Sequence, residues 1–192
     1  MIVIVSTNSA NITSESGMRP HVGISSCLLG ERVRYDGNHK RKSLLIAVLS
    51  DHVVWVPVCP ELELGMGVPR EKVRLIVSPV DGERRMVGEA SKRDWTHQME
   101  QLAETRAVEL TEDGVSGYIF KSRSPSCGLQ RVKLYQGAGP PKRQGMGLFA
   151  AAVQLRLPRL PVIEETDLTT AQACQEFLKR VRAYQARDAA KD

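Results

Sequence analysis

Val22-Gly-Ile-Ser-Ser26, Ser43-Leu-Leu-Ile-Ala-Val-Leu49 and Val53-Val-Trp-Val-Pro-Val58 decide the fold. The first and third are short, largely β-branched runs with the make-up of buried strands, and the second carries its apolar residues at helical spacing. Strand, helix and strand in alternation argue for an α/β sheet built by crossover connections. Outward from this unit the alternation continues. Val73-Arg-Leu-Ile-Val77 reads as a strand, with Asp81-Gly82 as the turn of a hairpin returning through Arg85-Met-Val87 at a sheet edge. Asp94 is placed to cap a helix with Trp95, Met99, Leu102, Ala103, Ala107 and Leu110 on one face, closing near Gly114. Gly117-Tyr-Ile-Phe-Lys121 is a strand, Gly137 to Gly147 a Gly/Pro-rich loop, and Leu148 to Leu157 a short apolar helix stopped by Pro158. Leu160-Pro-Val-Ile163 is the last strand, and Leu168, Ala171, Cys174, Leu178, Val181 and Tyr184 line one face of a terminal helix.

With 192 residues and 42% hydrophobic content, the chain fits one core-bearing domain. The expected division is a loose, Ser/Asn/Thr-rich extension over 1–19, an α/β domain over 20–165, and a C-terminal helix and tail over 166–192. Met1-Ile-Val-Ile-Val5 is apolar but short and lacks a basic n-region, so neither secretion nor a membrane span is expected. The four cysteines are too scattered for a disulfide scaffold, and the expected setting is the reducing cytoplasm, where thiols remain available to metal. A net charge of +5, from 27 Lys+Arg against 22 Asp+Glu, is modest for a nucleic-acid protein, yet it is locally concentrated. His39-Lys40-Arg41-Lys42 is one cluster; Lys121, Arg123, Arg131, Lys133, Lys142 and Arg143 form another stretch.

Three cysteines share one setting. Ile24-Ser-Ser-Cys27-Leu-Leu-Gly30, Val56-Pro-Val-Cys59-Pro-Glu61 and Phe120-Lys-Ser-Arg-Ser-Pro-Ser-Cys127-Gly128 each carry a thiol just beyond a hydrophobic strand, in a turn of Gly, Pro or Ser. In an open, mostly parallel sheet such turns converge outside the carboxyl ends of the strands, so three thiols are expected to meet at one edge. Backbone N–H groups in those turns are expected to depress the thiol pKa values toward the metal-binding thiolate. The spacings match neither the close C-x-x-C pairs of a zinc ribbon nor a ferredoxin run. Cys174 lies on the apolar stripe of the terminal helix and is assigned to the core.

Glu61, two residues past Cys59, is a candidate general acid or base whose pKa a partly dry crevice would raise. As a first-turn helix acid favoured by the macrodipole, it has an equally ordinary explanation. Ser122, Ser124 and Ser126 alternate ahead of Cys127 and can turn hydroxyls toward the site, though Ser-Pro-Ser is also common turn chemistry. Arg34, Tyr35 and Asp36 lie in a loop able to close over a substrate. Three readings stay open from the residues alone: a cluster-dependent enzyme, a cluster- or metal-bearing RNA-binding or sensor module without catalysis, and a metal-free thiol nucleophile. The last wants a His partner, and among His21, His39, His52 and His97 only His39 is a candidate.

Taken together, Ser-Ser-Cys-Leu-Leu-Gly, Val-Arg-Tyr-Asp-Gly, Val-Pro-Val-Cys-Pro-Glu and Ser-Pro-Ser-Cys-Gly resemble the thiouracil desulfurase family over about Pro20 to Glu165. The resemblance implies a Rossmann-like α/β fold, a mostly parallel sheet flanked by helices. It also implies a [4Fe-4S] cluster held by three cysteines, here Cys27, Cys59 and Cys127, with one iron left to take the sulfur of a thiolated nucleobase or nucleoside. It suggests Glu61 and Ser124 as acid/base and assisting residues. Gly-Asn-His-Lys-Arg, Gly-Val-Pro-Arg-Glu, Gly-Met-Gly-Leu-Phe-Ala and Leu-Pro-Val-Ile-Glu-Glu are similar to longer members, in which this domain precedes a second one and the implied substrate is thiouridine in tRNA. The segment Glu176 to Tyr184 resembles the opening of that second domain.

Overall fold

A computed structural model describes residues 18–188, so all but the last two residues of the expected extension over 1–19 lie outside the described residues. Four parallel strands form the central sheet: β1 (His21–Ser25), β2 (Val54–Val58), β5 (Val115–Phe120) and β8 (Val162–Glu164), in the order β2-β1-β5-β8. Between β1 and β2 runs α1 (Ser43–Leu49), the crossover read from the sequence. The central strand β5 is buried along its whole length because both its faces are covered. Tyr118 and Phe120 point to one side, where α3 (Thr96–Glu112) and α4 (Leu148–Arg156) supply Met99, Ala103, Leu110, Phe149 and Val153. Ile119 points to the other, against Leu45 and Leu49 of α1 and Cys174, Phe177 and Val181 of α5 (Ala171–Asp188). The result is the doubly covered α/β layering expected of a Rossmann-like fold.

Two glycines allow this packing. A Cβ on Gly23 would lie 2.2 Å from the Tyr118 ring, which crosses β1 at that point, and one on Gly117 would lie 2.6 Å from Val181. Tyr118 also stacks on Phe120 at 4.0 Å between centroids, with Phe149 edge-on to both.

A second, mixed sheet stands beside the first, ordered β4-β3-β6-β7. Its β3 (Val73–Val77) and β4 (Arg84–Gly88) are the expected antiparallel hairpin, with β4 at the edge. Its other half corrects the sequence reading. Part of the Gly137 to Gly147 segment read as loop is strand β7 (Lys142–Gly145), paired with β6 (Val132–Tyr135), a strand the sequence reading passed over. Lys142, Arg143 and Gln144 are all exposed, so no apolar alternation marks β7; only pairing with β6 makes it a strand. Asp94 acts as expected at the start of α3, accepting the Thr96 N–H at 2.8 Å, although Trp95 occupies the capping position. Gly114 takes a left-handed φ of +64° just past the helix end. No helix among the described residues is long and apolar enough to cross a membrane.

Candidate active site

Adjacent strands β2, β1 and β5 deliver Cys59, Cys27 and Cys127 to one cavity of about 380 Å³ at their carboxyl ends. Each thiol is set by its own turn. Cys27 sits in a single helical turn, Ser26–Leu28, directly after β1; its carbonyl accepts the Lys40 N–H at 2.8 Å, which folds the 29–42 loop back over the cavity. Cys59 occupies the N-cap position of the short helix α2 (Pro60–Glu63), where Pro60 fits the first helical position and Glu63 reaches back to accept the Cys59 N–H at 3.1 Å. Its Sγ lies 3.8 Å from the Val33 carbonyl. Cys127 ends the loop after β5, where Ser124 Oγ accepts the N–H groups of Ser126 (3.2 Å) and Cys127 (3.1 Å). Gly147 lets α4 press against that loop: a Cβ there would lie 2.4 Å from the Ser126 carbonyl.

Burial raises the thiol pKa values where the turns were expected to depress them. Burial pushes Cys27 up to about 11, with Lys121 and Arg34 pulling the other way. Cys59 is raised and Cys127 is raised well above the ordinary thiol range, again first by burial. Desolvation of the anion outweighs the few donors these turns provide, because a thiolate in a low-dielectric pocket loses most of its hydration.

Glu61 sits on α2 at the cavity wall, gripped on both oxygens. Oε2 accepts from Arg70 Nη2 (2.7 Å) and Nε (3.0 Å), and Oε1 accepts the Ser126 hydroxyl at 2.8 Å. The Arg70 side chain is only 5% exposed; Nη1 donates to the Gly67 carbonyl at 2.8 Å and its backbone N–H to the Tyr35 carbonyl at 2.9 Å. Arg70 therefore ties the 34–36 loop, α2 and the Cys127 turn together. Ser124 and Ser126 divide the tasks that the alternating serines left unassigned: Ser124 shapes the turn, and Ser126 orients Glu61. The sequence reading missed Arg70 as a site residue; its one signal was an arginine in a Gly/Pro stretch shortly after the second cysteine. Arg34, Tyr35, Lys40, Lys72, Lys121 and Arg123 complete a strongly cationic wall. The Arg34 guanidinium and the Lys72 ammonium stand over the Tyr35 ring, at 5.2 Å and 5.1 Å from its centroid. Of the histidines, none lines the cavity, so a thiol–imidazole pair is not what the site offers.

Comparison with known proteins places the chain. The sequence pattern of 2-thiouracil desulfurase matches residues 22–165, three quarters of the chain and every cavity cysteine. The chain belongs to the 2-thiouracil desulfurase family. Within reach of that family, it is 36% identical over 151 residues to the uncharacterized protein YbbK of Bacillus subtilis (strain 168), covering 76% of this chain and 95% of the relative. It also superposes on the [4Fe-4S]-dependent thiouracil desulfidase TudS with a TM-score of 0.62 at 30% identity, covering 78% of this chain and 93% of that structure.

The donor set fits a cluster of the kind named for TudS. Among the described residues, no three His, Cys, Asp or Glu side chains are gathered tightly enough to share a single ion. Three thiols lining one cavity are the soft donors that an iron–sulfur centre takes.

Proposed function

We propose that this chain is a [4Fe-4S]-dependent desulfidase of thiolated pyrimidines, with the cluster held by Cys27, Cys59 and Cys127 and with Glu61 as the acid/base. The observation that carries this reading is the convergence of three thiols from three adjacent strands on one cavity, with a doubly clamped carboxylate at its wall. When bound, the cluster supplies an iron without a protein ligand, a Lewis acid for the thiocarbonyl sulfur.

The chain's own residues do the rest. Arg70 takes both lone pairs of Glu61 Oε2, whereas Oε1 keeps one beyond that used by Ser126, so Oε1 takes a proton from water as that water adds to the thiocarbonyl carbon. The C–S bond then breaks as the proton of the added hydroxyl passes to sulfur, which leaves as hydrosulfide; the water oxygen becomes the carbonyl of the product, and Glu61 gives its proton to solvent. No electron is exchanged. Ser126 and Arg70 hold the carboxylate in place through this exchange, and Ser124 keeps the Cys127 turn in shape and stands at the cavity wall as the assisting hydroxyl.

The cationic wall favours a thiolated nucleoside carrying phosphate over the free base, with 4-thiouridine in tRNA the extended form. Lys40, Lys72 and Arg123 would meet the nearest phosphates, and the exposed His39, Arg41, Lys142 and Arg143 those further along the strand. The setting we assign is the cytoplasm. Anaerobic reconstitution with iron and sulfide, followed by sulfide release from thiouracil, 4-thiouridine and thiolated tRNA side by side, tests the reading. Release from at least one substrate, dependent on iron, is the expected result; a reconstituted protein that releases sulfide from none would sink it.

A further inference from the structure

One buried ion pair at the cavity wall has no part in holding Glu61. Lys121, directly after β5, donates through Nζ to Glu165 Oε1 (2.5 Å), to the Ser122 carbonyl (2.9 Å) and to Ser122 Oγ (2.9 Å). An ammonium has three hydrogens, and all three are engaged, so Lys121 is neither a proton donor nor a flexible hook for a phosphate. What it provides is a positive charge fixed in space. Glu165 is fixed just as firmly: Oε2 accepts the Ser122 N–H at 2.6 Å, Oε1 accepts the Ser122 hydroxyl at 2.8 Å, and its own N–H bonds the Phe120 carbonyl at 3.1 Å. The side chains are 15% and 3% exposed, so water screens the pair poorly.

The pair has a direction. Lys121 lines the cavity together with all three thiols, and its backbone N–H donates to Ser25 Oγ at 2.9 Å, two residues before Cys27; Glu165 is not among the lining residues. The ammonium is therefore the near end and the carboxylate the far end. A salt bridge that served only to pin the loop would have no need to face the cavity in this sense.

We propose that the Lys121–Glu165 pair is an electrostatic tuning element for the iron–sulfur centre, its positive end held toward the cavity so that negative charge on the centre is stabilised. This inference rests on the cluster reading above. Net charge and nearby fields set the potential of such centres, and an added electron is stabilised by a fixed cation and destabilised by a fixed anion. Lys121 and Glu165 are positioning residues that act through the centre and touch no substrate.

The test is the midpoint potential of the reconstituted centre, with iron per chain determined first. The expected result is a more negative potential in Lys121→Met, a potential near the parent's in Lys121→Arg, and a more positive potential in Glu165→Gln. Opposite signs are the signature, because a merely structural bridge moves both variants the same way or neither. Shifts of the same sign, or none in either variant, overturn the inference and leave the cluster reading standing; a parent protein that takes up no cluster overturns both. Should Lys121→Met fail to fold or to hold iron, the sign in Glu165→Gln decides alone, positive in support and zero or negative against.

Discussion

Cys127 and Cys174 are both free and both buried, at 6% and 0% exposed, and burial raises the pKa of both. Their surroundings differ in kind. Around Cys174, on α5, burial raises the thiol, which belongs to a core cluster with Leu45, Phe177 and Val181. Around Cys127, Glu61, Cys59 and Cys27 all act on the sulfur and Ser25 supplies a hydrogen bond. Burial therefore says nothing about which thiol has a task. The company of other ionisable groups, gathered from separate strands, distinguishes a ligand from a packing residue.

The strongest way to break this comparison is to exchange the fates of the two kinds of cysteine. Cys59→Ala is expected to bring iron per chain to background after reconstitution, whereas Cys174→Ala keeps full iron and loses about 1 kcal/mol of stability. Equal iron loss from both would remove the distinction. Next in size, Glu61→Gln is expected to retain the cluster's visible absorption while sulfide release falls by about 10²–10⁴, the usual worth of a positioned acid/base. Undiminished release would take Glu61 out of the chemistry.

A finer separation lies within the serines. Ser126→Ala removes a hydrogen bond to a carboxylate, about 1.5–3 kcal/mol, and should slow release by roughly tenfold or more with iron content unchanged. Ser124→Ala should instead loosen the turn that carries Cys127 and show first as faster loss of iron on dilution into chelator. Identical behaviour of the two would merge roles that the geometry keeps apart.

The smallest expected effect concerns Glu164, remote from the cavity. Burial raises its carboxyl above the ordinary range against the Gln130 and Leu129 N–H groups that lower it, and Glu165 and Asp167 add repulsion. A carboxyl raised on folding contributes stability below its ordinary value, and that contribution is lost as pH rises through the folded value. Glu164→Gln keeps the acceptor for Leu129 and Gln130 and removes the charge, so at pH 7 the variant should unfold at slightly higher urea than the parent. The gap should close as pH falls through the carboxylate range. A variant less stable at pH 7 would show that the charge-assisted hydrogen bonds outweigh desolvation.

Much of the fold was legible because it rests on local, apolar signals. The α1 limits and the β3 limits follow from short-range periodicity, and β-branched runs located the four parallel strands to within a few residues. Strand β7 was not legible, because Lys142, Arg143 and Gln144 carry no alternation and become a strand only against β6. The site divides along the same line. Each cysteine turn is visible as a strand followed by Gly, Pro or Ser, since turn chemistry is local. Arg70 was not visible as the partner of Glu61, because a buried ion pair across nine residues of irregular chain leaves no periodic trace.

The sequence by itself determined which residues could act: four thiols, one carboxylate beside the second of them, and an α/β alternation that puts strand ends at one edge. Only the tertiary structure decided that three thiols share a cavity and the fourth does not, that Ser126 rather than Ser124 touches Glu61, and that burial raises the thiol pKa values. The reason is physical. Residue type and turn propensity are properties of a few neighbouring positions, whereas desolvation and ion pairing depend on which distant segments exclude water from the same place.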